Sequence, residues 1–295
     1  MRIFEFGKAI CYSGYREGQR PGGVIPSMDE IREDIHILCD EGYKYLRMYD
    51  PNLHAKRVLQ VITEDKLPMK CIIGVDNKPE INNKNCPWVD ENFTEEELQA
   101  HRDRNDSEVE ELIKLVKEYK DAVIAVSIGN ENTPDWTANM VPVERLIAHA
   151  DRLKEALDVP VTFCEGFGEW ERLHELADHL DFISLHSYPW HLNLPAVGAV
   201  EVNKEHFHTA QEWFKGKEII FTEMGWPSRS DETKEPKQAT VANQKMYIKE
   251  LNEWLEEEQV VAFLFEAFDE PWKGDNQDRP ERNWGLFDVN RKKKW

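Results

Sequence analysis

An α/β chain closed as a (β/α)8 TIM barrel is the fold class this sequence predicts, and three observations carry it. Eight short apolar or β-branched runs recur along the 295 residues, amphipathic stretches of helical period separate them, and several of the runs stop on a polar residue. Strands joined by helical crossovers lie parallel, and eight such units fit one barrel spanning 1–295 better than two small domains.

The predicted strands, in order, are Ile3–Ile10, Tyr45–Tyr49, Lys70–Val75, Val123–Ile128, Val161–Cys164, Phe182–His186, Ile219–Thr222 and Val261–Glu266. Between them the period of 3.6 predicts helices at about Ser27–Glu41, His54–Asp65, Asp106–Tyr119, Val143–Leu157, Glu169–His179, Lys204–Phe214 and Ala239–Glu257. Ser27 and Glu30 form a capping box, and Asp106 or Ser107 is placed to cap the third helix. No helical pattern follows the eighth strand, so 267–295 should close the barrel as an irregular segment. The longest connection, 76–103, carries Trp88 and Phe93 and reads as a lid or a cleft wall.

Composition narrows the function classes. With 37 basic against 57 acidic residues the net charge is −20, which repels nucleic acid and anionic membrane surfaces, so neither is an expected partner. The five cysteines, Cys11, Cys39, Cys71, Cys86 and Cys164, show no CxxC pair and read as free thiols. MRIFEFGKAICY is too interrupted by Glu5 and Lys8 for a signal peptide, and no stretch has the apolar length of a membrane span. The chain as given is therefore expected in the cytoplasm, or outside the cell where an export signal has been removed.

The strand ends converge on one mouth in this fold, and that is where chemistry is expected. The fourth run, VIAVSIGNENT, ends at Glu131 between Asn130 and Asn132; the seventh, IIFTEMGWPS, ends at Glu223. The two lie three βα units apart, so their carboxylates can approach a glycosidic bond from opposite sides. Glu131, between two carboxamides, is expected to stay protonated as the acid and Glu223 to stay ionised as the nucleophile. Arg47 should orient a mouth carboxylate, and His186 should sit behind the reacting groups. Of the tryptophans that follow strand ends, Trp136, Trp170, Trp226, Trp272 and Trp284, several should floor the cleft, Trp226 and Trp284 first. Tyr188 and Trp190 are candidates for sugar contact, and Glu165 and Glu169 for outer polar contacts or plain solvated loop.

These strand-end segments resemble the signature segments of glycoside hydrolase family 17, the β-1,3-glucanase family. The resemblance rests on SIGNEN and IIFTEMGWPS and extends through RMYDPN at 47–52, SLHSYPW at 184–190 and FEAFDEPWKGD and PERNWGLF within 265–287. YREGQRPGG near the start is similar to microbial relatives, which reads as a bacterial-type member. The resemblance implies a retaining glycosidase without cofactor, with Glu131 as acid/base and Glu223 as nucleophile, acting on β-1,3-glucans of the laminarin type. It also implies that Tyr49, Asn130 and Tyr188 line the subsite of the attacked sugar, and that Glu270, Lys273 and Glu281 form a charged cluster near the nucleophile. A β-1,3-glucan transglycosylase would use the same site. A metal-dependent barrel hydrolase is the more distant alternative: strand one lacks a His-x-His pair, and the HFH of 206–208 lies on a helical stretch where i and i+2 diverge. A silent glucan-binding barrel is the third class, and the presence of both glutamates speaks against it.

Overall fold

In the computed structural model of the chain, which describes residues 2–89, 92–231 and 238–295, eight parallel strands close into a barrel in sequence order, β1 pairing with β8. The strands are β1 (Lys8–Cys11), β2 (Tyr43–Met48), β3 (Lys70–Ile73), β4 (Val123–Asn130), β5 (Val161–Gly166), β6 (Phe182–His186), β7 (Glu218–Met224) and β8 (Ala262–Leu264). The helices between them are α1 (Met28–Asp40), α2 (Leu53–Glu64), α3 (Glu95–Glu118), α4 (Val143–Ala156), α5 (His174–Asp178), α6 (Ala199–Trp213) and α7 (Val241–Glu258). Alternation along the strands splits the core in two. Ala9, Cys11, Tyr45, Ile72, Ala125, Phe182, Ile220 and Phe263 fill the barrel, while Ile10, Leu46, Ile73 and Val126 face the helices.

Several boundaries differ from the sequence expectation, among them the start of α6 at Ala199, five residues before Lys204. Strand one begins at Lys8, because Phe4 leaves the sheet to pack edge-on against Tyr45 (5.7 Å) and Phe182 (5.2 Å), plugging the lower end of the barrel. Helix α3 begins eleven residues before Asp106, at Glu95. A capping box of Thr94 and Glu97 starts it, and Asp106 sits mid-helix, paired with Arg145 (2.6 Å) and His149 (3.0 Å). Ser107, also mid-helix, bonds back to the carbonyl of Asp103 (2.8 Å). The stretch expected as one helix over 169–179 is a 3-10 turn, Phe167–Arg172, followed by the short α5.

No α-helix follows β8. Instead the C-terminal segment returns to the sheet mouth, where the Phe287 and Leu286 amides donate to the carbonyls of Ala267 and Glu266 (both 2.9 Å). Arg291 locks it to the start of the chain. Its guanidinium makes two bonds of 2.7 Å to the buried carboxylate of Asp34 on α1 and one of 2.7 Å to the Gly14 carbonyl. All five cysteines are free, and among the described residues no helix is long and apolar enough to cross a membrane.

Candidate active site

The mouth of the barrel opens into a cleft of about 1220 Å³, larger than the 300–1,000 Å³ or so that encloses one small ligand, so it has room for several sugar rings. Tyr49, Asn130, Glu131, Tyr188, Glu223, Lys273, Glu281 and Trp284 all line it. The distant segments singled out from sequence therefore meet at one place.

Glu223 stands at the centre, nearly buried at the end of β7. Its Oε1 accepts from Arg47 Nη1 and from the Tyr49 hydroxyl (2.9 Å), and its Oε2 accepts from the Tyr188 hydroxyl (2.6 Å). Burial alone would favour the protonated acid. The His186 imidazole and the Arg47 guanidinium outweigh it, with the two tyrosine hydrogen bonds, and hold the carboxyl well below its ordinary 4.5, to about 2. Oε1 has both acceptor positions occupied, whereas Oε2 keeps one free.

Glu131 follows β4 at a turn built for it. The residue has φ 48°, in the left-handed region, and its amide donates to the Cys164 carbonyl on β5 (2.9 Å). Asn132 closes the turn: its side-chain oxygen accepts from the Asn130 amide (3.0 Å) and from Asn77 (3.1 Å), and its nitrogen donates to the Asn139 carbonyl (2.8 Å). The flanking carboxamides thus have partners other than the Glu131 carboxylate, so the expected contact between them and the acid is not made. Asn130 Oδ1 takes Arg47 Nη2, and Glu131 Oε1 is bonded to His186 Nδ1 at 2.7 Å.

His186 therefore sits between the two acids, with Nδ1 also 3.6 Å from Glu223 Oε2. Burial disfavours its charged form, but Glu223, Cys164 and Glu131 override that and push its pKa up to about 10. One ligating atom from each of Glu131, His186 and Glu223 lies within 4.8 Å of the others, a donor set that a cation could in principle use. Arg47 argues against that use. Its guanidinium already occupies Glu223 Oε1 and lies 3.3 Å from His186 Nε2, so a cation would face a fixed positive charge and a ring that holds its proton.

Four sequence assignments are corrected. Trp226 is fully buried, bonded through Nε1 to the Gln238 carbonyl (3.0 Å) and packed on Trp190 and Tyr247; it belongs to the core rather than the cleft. Glu270 is also fully buried and lies under Lys273 (2.8 Å), so it reaches the cleft only through that lysine. Lys273 lies 2.9 Å from Glu266 as well, a buried acid whose part in the cluster the sequence reading missed. Trp170 is core too, and Glu165 is buried against Thr133 rather than solvated. Trp88, Trp136 and Trp272 are exposed and line the cleft, with Trp88 Nε1 donating to the Trp136 carbonyl (2.9 Å), so the connection after β3 is a wall of it.

The family model for the BtgE/BtgC glycoside hydrolase domain matches residues 9–285. Among curated proteins the chain is similar to the Aspergillus niger protein assigned as glucan endo-1,3-beta-glucosidase btgC, 26% identical over 303 residues, covering 90% of this chain and 39% of that protein. It is also similar to the Saccharomyces cerevisiae protein assigned as family 17 glucosidase SCW10, 26% identical over 290 residues, covering 95% and 64%. The chain spans about two fifths of the length of the Aspergillus relatives. Among solved structures, an endo-laminarinase from Formosa Hel1_33_131 superposes with a TM-score of 0.80 at 25% identity, covering 96% of this chain and 84% of that one. The matched residues run from the first strand to Gly285 and take in both strand-end glutamates, and the chain belongs to the BtgE/BtgC glycoside hydrolase family, in agreement with the family 17 resemblance of its motifs.

Proposed function

We propose that the chain is a retaining glycosidase that cleaves β-1,3-glucosidic bonds in neutral glucans, with Glu223 as nucleophile and Glu131 as acid/base. The observation that carries this reading is the approach of the two carboxylates, one oxygen of each within 4.8 Å, across an open cleft. Acids about 5–5.5 Å apart leave no room for a water between the base and the sugar, so displacement runs through a covalent intermediate. Oε2 of Glu223, with one acceptor position free, attacks the anomeric carbon while Glu131 gives its proton to the departing oxygen. Glu131 then takes a proton from water, which attacks the same carbon and breaks its bond to Glu223, freeing that carboxylate. Arg47, Tyr49 and Tyr188 hold the nucleophile ionised and fixed in direction.

The β-1,3 linkage draws on what the relatives are assigned to cleave. Transfer to a second sugar in place of water is open to the same site, since Trp136 and Phe167 extend the cleft beyond Glu131. Glu223→Ala tests the reading. It should lower turnover of laminari-oligosaccharides by at least about a thousandfold, and azide should restore activity toward an aryl glycoside with a product of inverted configuration. Near-normal turnover by that variant would remove Glu223 from the role. Products longer than the starting β-1,3 oligomer would mark a transglycosylase.

A further inference from the structure

One histidine of the mouth, His206, is held in a way that core packing does not require. It lies on α6 three residues after Asn203, so both face the end of β6. Asn203 Nδ2 is 3.3 Å from the Ser187 carbonyl, which can only accept, and this fixes which end of the carboxamide is nitrogen; its oxygen takes the Tyr247 hydroxyl (2.9 Å). The same Nδ2 donates to Ser187 Oγ at 2.7 Å. Asn203 fills one acceptor position of Ser187 Oγ, and since among the described residues that hydroxyl has no acceptor other than His206 Nδ1, 2.8 Å away, its proton goes there. A ring that accepts at Nδ1 carries its proton on Nε2, and among the described residues no side chain takes that proton. The plane of the ring is fixed as well, because Phe167 stacks on it at 3.9 Å and 9°, with Trp213 behind Phe167 at 5.1 Å and 10°. Burial pushes the ring's pKa down to about 4, so it stays neutral at ordinary pH.

His206 and Phe167 line the cleft on the β5 and β6 side, next to the strand that carries Glu131, whereas Trp272 and Lys273 form the wall after β8. The bond that Glu131 protonates releases its sugar toward the Glu131 side. We propose that His206 is a binding residue for the leaving sugar, its Nε2–H donating to a hydroxyl oxygen of the saccharide that departs in cleavage or enters in transfer. This rests on the glycosidase reading above. A neutral, orientation-locked donor suits a neutral hydroxyl, and the flat stack beside it leaves a rigid edge for the ring of that sugar.

The test compares laminaripentaose, which places sugars on both sides of the cut, with an aryl β-laminaribioside, whose leaving group has no hydroxyl to offer. His206→Phe keeps the stack and removes the donor. The ratio of kcat/KM for the pentaose to that for the aryl glycoside should fall about tenfold, and His206→Gln, whose amide nitrogen approximates Nε2, should recover part of it. In the wild type, 15N NMR of the ring at pH 7 should show the Nε2–H form, and its resonance should move when laminaritriose is added. An unchanged ratio in His206→Phe, a ring protonated on Nδ1, or a resonance unmoved by laminaritriose would overturn the proposal while leaving the glycosidase reading intact. Wild-type protein that cleaves neither substrate would overturn both.

Discussion

At the scale of single residues, the division of labour proposed for the two glutamates rests on what touches them. Glu223 has a guanidinium, an imidazole and two phenols around it, and its ionised form is favoured by the fold. Its folded pKa, about 2, is below the ordinary 4.5, so the stability it contributes is present above pH 4.5 and is lost as pH falls through about 2. Acid unfolding of the wild type should therefore steepen across that window relative to Glu223→Gln, as read by circular dichroism in a pH series. Equal slopes would show that the guanidinium and imidazole do not favour the charged form. Glu131, by contrast, contacts a single histidine that faces the other acid too. Removing its proton-donating ability with Glu131→Gln should slow hydrolysis of oligosaccharides by about a hundredfold or more, and of aryl glycosides with good leaving groups far less, because those need little protonation. The alkaline limb of the rate profile should vanish with it. An equal loss on both substrates would place the acid elsewhere.

At the scale of elements, the strand-end turns do the positioning, and they were only partly legible in the sequence. The turn after β4 holds Glu131 in a left-handed conformation through Asn132, which is buried and uses both ends of its carboxamide. Asn132→Ala should cost about 2 kcal/mol of stability, because the Asn130 amide and the Asn77 carboxamide each lose a buried partner. It should also lower kcat more than it raises KM, since the acid loses its aim rather than the cleft its shape; thermal melts and steady-state kinetics check both, and a purely structural Asn132 would lower stability alone. The sequence placed Asn132 beside the acid but not the direction of its side chain. The same blindness misplaced Trp226. A strand-end aromatic reads alike whether its indole turns to the cleft or under it, and what turns it under is the tight passage at Gly225, where an added Cβ would lie 2.2 Å from the Phe265 carbonyl oxygen. The start of helix α3, eleven residues before Asp106, is hard to see in the sequence because its first half is mostly polar with little apolar period, and only the Thr94 and Glu97 box marks it. The eight strands were legible because alternation inside a barrel leaves unbroken apolar runs, which no other part of this chain imitates. Glu266 was hidden in one of those runs.

At the scale of the whole molecule, charge decides what the cleft will admit. The chain carries a net −20, and the cleft adds to that field locally through Asp50, Asp76, Glu169, Glu223 and Glu281. Among the described residues that line it, Lys273 is the one lysine or arginine, and its ammonium is already bonded to the buried Glu266 and Glu270, which hold its proton on against burial, while burial and Glu270 push the Glu266 carboxyl well above its ordinary range. A uronate carboxylate bound in this cleft would find no unspent cation, and one placed roughly 6 Å from an ionised acid would be repelled by it. At an effective dielectric constant near 20 that repulsion is about 2–3 kcal/mol, or roughly a hundredfold in binding. Laminari-oligosaccharides oxidised at C6 should accordingly be cleaved with kcat/KM about a hundredfold below that of the unoxidised series, measured side by side at low ionic strength. Salt should narrow the gap, because part of the repulsion comes from exposed groups such as Glu281 and is screened within about 10 Å at 0.1 M. Oxidised oligomers cleaved as fast as neutral ones would mean that the Lys273 cluster opens to release its cation for substrate, and the neutral-glucan reading would then fail.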